Sequence, residues 1–559
     1  MPPSPPPPSA AARCVRRLFC DWHMPSFLPE VRLDAEAFIE QAVALGAQSL
    51  NFMCKTAFGE CLYPSAVERS NRAIPGDGDA VGPVFRLARQ RGLRIIAYYN
   101  MVLNDRLAED HAEWKQTDLD GKPLKMFGYH CFCMNRAPFF ERVARTLEEI
   151  ATRYEPDGFF FDLQYFHPEG CFCDCCKEGF QNRFGYPLDP RRFDSLSQWL
   201  DVETFQRESR RAFIGGAVER LRKLKPNLVF TWNGSGALHF SHTELDAAAS
   251  LLTSEAHPPD FIGCGARAKW MQSSGKPFNL TMPETLHSWG DWTLVNTPTL
   301  KTMCAIALAH GGTIEINHCP MPCGDHAGKV YAPVYDLIRE TFRWMYLREP
   351  LCEGARPVPV AAVVHAPSCA AISRSLQRRA RLMPRIAPKA PLEGADKAQT
   401  PQNDISAIRL LTETHIPSGF VYSENHLDGL EDHEVVILAN AGHVTPRLAE
   451  RLRRYVSGGG RLLATYNTSL LDPTGKELDN FALADLFGAD FRRFSPYSII
   501  YLDRLDPALA RGVPDFPQLV KDCGYNKKPH YRSIYTALRP GARALAVFTE
   551  PAIETDLEA

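Results

Sequence analysis

The chain has 559 residues, 45% of them hydrophobic and 23% charged, and its 63 basic and 65 acidic side chains leave a formal net charge of -2. That length exceeds one ordinary domain and predicts two or three, each with a full hydrophobic core. The balanced charge excludes the bulk basic field of a nucleic-acid binder, and no run of eighteen apolar residues is present to span a membrane. The expected partners are neutral molecules.

Residues 1–14, MPPSPPPPSAAARC, are Pro-rich and lack the charged and apolar regions of an export signal, so they read as a disordered tail. The seventeen cysteines are odd in number, scattered, and in places set within predicted strands (Cys20, Cys54). That usage fits reduced, buried thiols and a cytoplasmic location better than a disulfide framework.

From residue 15 to residue 350, short apolar runs alternate with amphipathic segments. The predicted strands are 17–23, 49–54, 93–100, 157–166, 228–234, 250–256, 277–284 and 312–318. Between them lie helical patterns such as DAEAFIEQAVALG and APFFERVARTLEEIATRY, with apolar residues at i, i+3, i+4 spacing. Eight βα units predict a (β/α)8 TIM barrel, whose active site lies at the C-terminal strand ends.

Those ends are polar. They carry Asp21 and His23, Asn51, Tyr99 and Asn100, Asp162 and Gln164, Trp232 and Asn233, Glu255 and His257, Glu284 with His287 and Trp289, and Asn317 with His318. A mouth lined by donors, acids and aromatic faces suits a carbohydrate, which needs many directional hydrogen bonds and flat surfaces for its C–H faces. Trp232, Trp289, Trp292 and Tyr99 are the candidate platforms. Asp162 stands out, because PDGFFFDLQYFHPEG (Pro156–Gly170) reads as a strand buried on both faces and interrupted by one acid. An ionised carboxylate there is costly unless it pairs, coordinates or reacts.

The loop after the fourth strand, GCFCDCCKEGF, carries Cys171, Cys173, Cys175 and Cys176. Cys173 and Cys176 have zinc-ligand spacing, yet four cysteines in six residues crowd a single ion. The expectation is a structural zinc on Cys171, Cys173 and Cys176 with a fourth ligand from the preceding loop, which offers His130, Cys131 and Cys133.

Residues 351–559 read as a flavodoxin-like, doubly wound α/β domain, with a basic, Pro-containing segment at about 372–403 expected to be a mobile loop. The domain has no GxGxxG or Walker loop, and its third strand ends in Asn440-Ala441-Gly442, where amidotransferase chemistry would need a cysteine. Packing or assembly is its expected role.

PDGFFFD resembles the strand that ends in the catalytic nucleophile in a hypothetical glycosyl hydrolase class related to family 29 alpha-L-fucosidases. YVSGGGRLLATYNTSLLDPTGKELDNFALADLFGADF resembles the trimerisation domain of family 42 beta-galactosidases. Family 42 barrels carry an Asn-Glu acid/base at strand four, where this chain has Asp162, so the second resemblance does not carry beta-galactosidase activity with it. Together they imply a retaining, alpha-L-fucosidase-like glycoside hydrolase that forms a homo-oligomer, a trimer first of all.

Asp162 is then the nucleophile and Glu255 the acid/base, with Glu284 in reserve; retaining chemistry asks for two carboxyls about 5 to 5.5 Å apart. Apolar surroundings and the charge of Asp162 are expected to raise the pKa of Glu255. Asp21, His23, Asn51, Tyr99, Asn233, Glu284, Trp289 and His318 are the expected substrate-binding residues, and catalysis needs no cofactor. Two other readings stay open: a metal-dependent isomerase or hydrolase using Asp162, Glu255, His257 and His318, and a catalytically inactive carbohydrate-binding barrel.

Overall fold

The structure is a computed structural model that describes residues 14–236, 238, 247–287, 289, 293–325, 327–386, 401–495, 497, 499–521 and 533–551. The Pro-rich tail apart from Cys14, Trp292, and residues 387–400 of the basic segment lie outside the described residues. The chain divides into two compact units, one running to Arg192 and from Asp201 to Val358, the other comprising Phe193–Leu200 and the chain from Pro359.

The first unit is built on eight parallel strands: β1 (Arg16–Cys20), β2 (Ser49–Lys55), β3 (Arg94–Asn100), β4 (Gly158–Asp162), β5 (Val229–Trp232), β6 (Leu252–Glu255), β7 (Phe278–Pro283) and β8 (Thr313–His318). Their ladder runs β6-β7-β8-β1-β2-β3-β4-β5. Between β5 and β6 the circle is joined by backbone bonds from Ser250 N to Phe230 O and from Gly236 N to Thr253 O, both 2.8 Å, and by the Thr231 and Thr253 hydroxyls at 2.7 Å. Gly158 has a role in this closure: a Cβ there would lie 2.4 Å from Val229 O, so the glycine of PDGFFFD lets β4 and β5 pair.

The longer helices of this unit are α1 (Ala35–Ala44), α2 (Val81–Gln90), α3 (Ala137–Arg153), α4 (Asp174–Phe184), α5 (Leu196–Leu224, whose first residues group with the second unit), α6 (Phe261–Ser273), α7 (Thr297–Ala309) and α8 (Ala332–Tyr346). Side chains of Asp34, Asp260 and Asn296 cap α1, α6 and α7. Along α3 the buried residues Phe139, Val143, Thr146, Leu147 and Ile150 fall at three- and four-residue intervals, giving the helix one face for the barrel.

Strand alternation sorts the barrel's interior into levels. Deep inside, Arg17, Asn51, Thr231, Thr253, Asn279 and Glu315 line a small cavity together with Ile96, Phe160, Val229 and Leu251, and Glu315 accepts the Thr281 hydroxyl at 2.9 Å. Phe19, Tyr98 and Phe160 stack in series, with centroids 5.4 and 5.7 Å apart. Two residues further along β1 and β4, and so on the same face as Phe19 and Phe160, stand Asp21 and Asp162.

The second unit has a four-stranded parallel sheet, β9 (Ala361–Val364), β10 (Ser418–Val421), β11 (Val435–Leu438) and β12 (Arg461–Ala464), in the order β10-β9-β11-β12. The helices α9 (Pro367–Ile386) and α10 (Pro401–Glu413) lie between β9 and β10, and α11 (Pro446–Ser457) between β11 and β12, as connections of a parallel α/β sheet. Val364, Val436, Leu438, Leu448 and Leu452 belong to its core.

The basic segment departs from expectation, since residues 372–386 belong to α9 rather than to a loop. Its arginines and Pro384 hide a narrow apolar stripe in which Ile372 and Leu376 pack on Leu196 and Leu200. Beyond the parallel sheet, Ala489–Phe494 pairs with Ile534–Leu538, and Ile499–Asp503 with Gln518–Lys521 and Val547–Thr549, all antiparallel.

Candidate active site

Asp162 ends β4 with both carboxylate oxygens engaged. Oδ1 accepts the backbone N–H of Leu163 at 2.8 Å, and Oδ2 accepts the Tyr98 hydroxyl. Leu163 has φ 53°, a left-handed conformation that costs a leucine about 1–3 kcal/mol. Burial is the main cause that raises the Asp162 carboxyl to about 6; the bonds from Tyr98 and Asn233 oppose the rise, and the charge of Glu255 adds to it.

Glu255 ends β6. Its Oε1 accepts from Asn233 Nδ2 at 2.7 Å, and its Oε2 lies 3.2 Å from Trp289 Nε1 and 3.3 Å from His257 Nε2. Burial pushes this carboxyl up, but the bonds from His257, Trp289 and Asn233 outweigh it, so Glu255 sits below its ordinary value. The expected rise is therefore reversed. Apolar neighbours are visible in LLTSEA, whereas the three donors come from β5, from the residue two positions along, and from the loop after β7.

Asn233 donates to Glu255 Oε1 at 2.7 Å and acts on the Asp162 carboxyl to lower it. Its carbonyl oxygen accepts from Gln164 Nε2 at 2.7 Å and the Tyr165 hydroxyl at 2.5 Å, which fixes the residue in place.

His23 Nδ1 accepts the N–H of Ala57 at 2.9 Å, so the ring proton is on Nε2, 3.3 Å from the Tyr98 hydroxyl oxygen and 3.4 Å from Asp21 Oδ1. Burial lowers His23 to about 4 and keeps it neutral at physiological pH. Asp21 is raised to about 7, by burial first and then by the charges of Glu284 and Glu255. Glu284 Oε1 lies 3.2 Å from His318 Nδ1.

The structure thus brings Asp21, His23, Asp162, Asn233, Glu255, Glu284, Trp289 and His318 to the mouth. Two expected binding residues lie elsewhere. Asn51 is in the deep polar level with Arg17 and Glu315. Tyr99 is fully buried on the outer face of β3, its ring 5.0 Å from Lys55 Nζ and its surroundings including Glu68 and Thr146 of α3. Trp232 is also fully buried and offers no platform.

Tyr98, not Tyr99, faces the site. Strand parity contains that signal, because Ile96 and Tyr98 share the inner face. Tyr98→Phe is expected to keep the fold and raise the Asp162 pKa by about one unit through loss of a charge-assisted hydrogen bond. The acid limb of the pH–rate profile reads this shift, and an unmoved limb would separate Tyr98 from Asp162.

Beside the mouth, one sulfur each from Cys133, Cys173, Cys175 and Cys176 lies within 4.8 Å of the others. Cys171 is 3.4 Å from Cys173, next to this set, so the tightest group contains Cys175 where the sequence suggested Cys171. The start of α4 explains the change: Cys173 is its N-cap, and the first turn carries Cys175 and Cys176 toward Cys133. An all-thiolate, compact, largely buried donor set of this kind fits a closed structural zinc site. A zinc there would tie the loops after β3 and β4 together without entering the reaction.

The comparisons with known proteins bear on this geometry. Residues 34–163, from the cap of α1 to just past Asp162, match the family described as Hypothetical glycosyl hydrolase 6. The whole chain resembles alpha-L-fucosidase isoenzyme 2 from Paenibacillus thiaminolyticus, with TM-score 0.76 and 19% identity over 97% of this chain and 74% of that one. It also resembles the beta-galactosidase from Rahnella sp. R3, with TM-score 0.75 and 15% identity over 97% and 83% of the two chains. For the beta-galactosidase from Bacillus circulans sp. alkalophilus the TM-score is 0.73 and the identity 13%, with the same coverage. At these identities the likeness is one of fold. No curated protein matches the sequence.

Proposed function

We propose that the protein is a retaining glycoside hydrolase in which Asp162 attacks the anomeric carbon and Glu255 serves as acid and then base. The observation that carries this reading is the pair of acids at the C-terminal ends of β4 and β6, with Asn233, which follows the strand between them, donating to Glu255. Asp162 forms the glycosyl ester as the C–O bond breaks and the leaving oxygen takes a proton from Glu255. Water then breaks the ester and returns a proton to Glu255. Glu255 is ionised in the free site, so it has to gain its proton as the glycoside enters. The fold shared with an alpha-L-fucosidase makes alpha-L-fucosides the first substrates to test.

A second reading exchanges the roles, with Asp162 as acid and Glu255 as nucleophile, because the raised carboxyl of the pair is Asp162. The pH profile of kcat/KM separates the two. With Asp162 as nucleophile, activity falls on the acid side of about 6, where that carboxyl becomes protonated. With Asp162 as acid, activity falls on the alkaline side of the same value. A panel of aryl glycosides with and without chelator tests activity itself: turnover without chelator sensitivity is expected, no turnover on any sugar would favour the inactive reading, and inhibition by chelator the metal-dependent one. Among the described residues, the cysteines are the one group of three or more potential metal ligands that converges on a single point.

The cysteine group supports a structural zinc. Purified protein is expected to carry about one zinc per chain, as in closed thiolate sites. Elemental analysis finding none in protein never exposed to chelator would return the cluster to ordinary thiols. Free thiols throughout the described residues also support a reducing, cytoplasmic setting. Among those residues no helix is long and apolar enough to cross a membrane.

The second unit supports assembly, since its sheet carries none of the phosphate-binding loops such folds use. We expect a homotrimer that becomes monomeric when the chain is cut near Glu353. A monomer in sedimentation at micromolar concentration would count against that role.

A further inference from the structure

The β7–β8–β1 side of the mouth has an unbalanced hydrogen-bond inventory. Three of its residues are buried and end in a side-chain atom with no hydrogen-bond partner: Glu284 Oε2, Asn317 Oδ1 and His318 Nε2, of which the His318 side chain is 4% and the Glu284 side chain 12% exposed. All three atoms are acceptors. His318 Nδ1 faces Glu284 Oε1 at 3.2 Å, and a carboxylate can only accept there, so the ring proton is on Nδ1 and Nε2 carries a lone pair. Asp21 Oδ1, on the same side of the mouth, is a further buried acceptor without a partner.

Asp21 adds a second carboxylate, with His23 Nε2 the nearest donor to its Oδ1 at 3.4 Å. No described lysine or arginine is paired with Asp21 or Glu284. The buried Lys55 is committed to Asn100 O at 3.0 Å and to the ring of Tyr99.

Buried acceptors without donors are costly, so the ligand has to bring the donors. A hydroxyl brings one proton along with lone pairs that face the same carboxylates. An ammonium brings donors without any acceptor, and the charge that two neighbouring carboxylates lack, which it supplies without needing all of them at bonding distance. A metal ion answers the inventory less well, because Asp21, Glu284 and His318 do not converge to ligand distance. Sugars bearing carboxylate, sulfate or phosphate would be repelled.

We propose that this side of the mouth is an ammonium-binding subsite, and that the preferred glycosides carry a free amino group on the sugar ring away from the anomeric carbon. The proposal rests on the glycosidase reading for its substrate, but binding tests it without turnover.

Calorimetry on the full-length protein should compare glucosamine and galactosamine with glucose, galactose and the two N-acetyl derivatives. At least one amino sugar is expected to bind about tenfold or more tightly than its neutral parent, with N-acetylation abolishing the gain. Glu284→Gln and, separately, Asp21→Asn should erase that preference, whereas Asp162→Asn should keep it. Equal affinity for the amino and neutral sugars would overturn the proposal, as would a preference that survives Glu284→Gln and Asp21→Asn but disappears in Asp162→Asn. Preferential amino-sugar binding by a protein that hydrolyses no glycoside would uphold the subsite and sink the hydrolase reading. Turnover of neutral glycosides without amino-sugar preference would do the reverse.

Discussion

Asp162→Asn is expected to fold normally and to lose turnover on every glycoside by about 10³-fold or more, on the order of 4 kcal/mol of barrier. The amide is nearly isosteric and keeps one acceptor for the Leu163 N–H, and the Tyr98 hydroxyl can rotate to accept from the new NH2. The cost to stability should be about 1 kcal/mol, the scale of one rearranged hydrogen bond. The loss in rate has a separate origin, since an amide cannot form the glycosyl ester.

Azide turns this loss into an assignment. In Asp162→Asn it can attack from the face that the carboxylate used, giving a glycosyl azide of inverted configuration and partial recovery of rate. Were Asp162 the acid, Glu255 would still form the ester, and azide would give the retained anomer. Unchanged activity in the variant would remove Asp162 from the chemistry altogether.

The barrel was legible because its signal is periodic and local: eight apolar runs, each followed by a stretch able to form a helix, leave few alternative folds. Asp162 was legible for a related reason, since one acid closing a five-residue apolar strand is conspicuous without any knowledge of its neighbours. Tyr99 was misplaced by one residue, and in a strand one residue exchanges the inside for the outside. Asn51 was misplaced along the strand, because a polar residue two levels below the mouth looks the same in sequence as one at the rim.

The lowered pKa of Glu255 could not be read from its own segment, because Asn233 and Trp289 reach it from other elements. The cysteine group was half legible. C-x-x-C spacing pointed to Cys173 and Cys176, but the choice of Cys175 depends on where α4 starts, and helix boundaries are the least local part of a helix signal. The start of α9 was hidden in the opposite way, by five arginines and Pro384, which dilute its apolar stripe over residues 367–386.

Glu255→Gln carries the other large effect, and its value lies in selectivity rather than size. An alkyl leaving group needs a proton as its bond breaks, so removing the acid is expected to slow such substrates by about 10² to 10⁴-fold, the range of general acid catalysis. Activated aryl glycosides leave as stable phenolates and should lose less than about tenfold in the glycosylation step. The substitution also removes a negative charge that helps to hold Asp162 up, so the acid limb of the profile should move below its wild-type position near 6. Asn233 can still donate to the glutamine carbonyl at the Oε1 position, while the new NH2 cannot accept from Trp289 Nε1, so the substitution removes the proton and one of the three donor contacts. Equal losses on both classes of leaving group, with the acid limb unmoved, would sink the acid role of Glu255 and pass it to Glu284 or Asp21. Selective loss with a shifted limb would tie the two carboxyls together as one catalytic pair acting across Asn233.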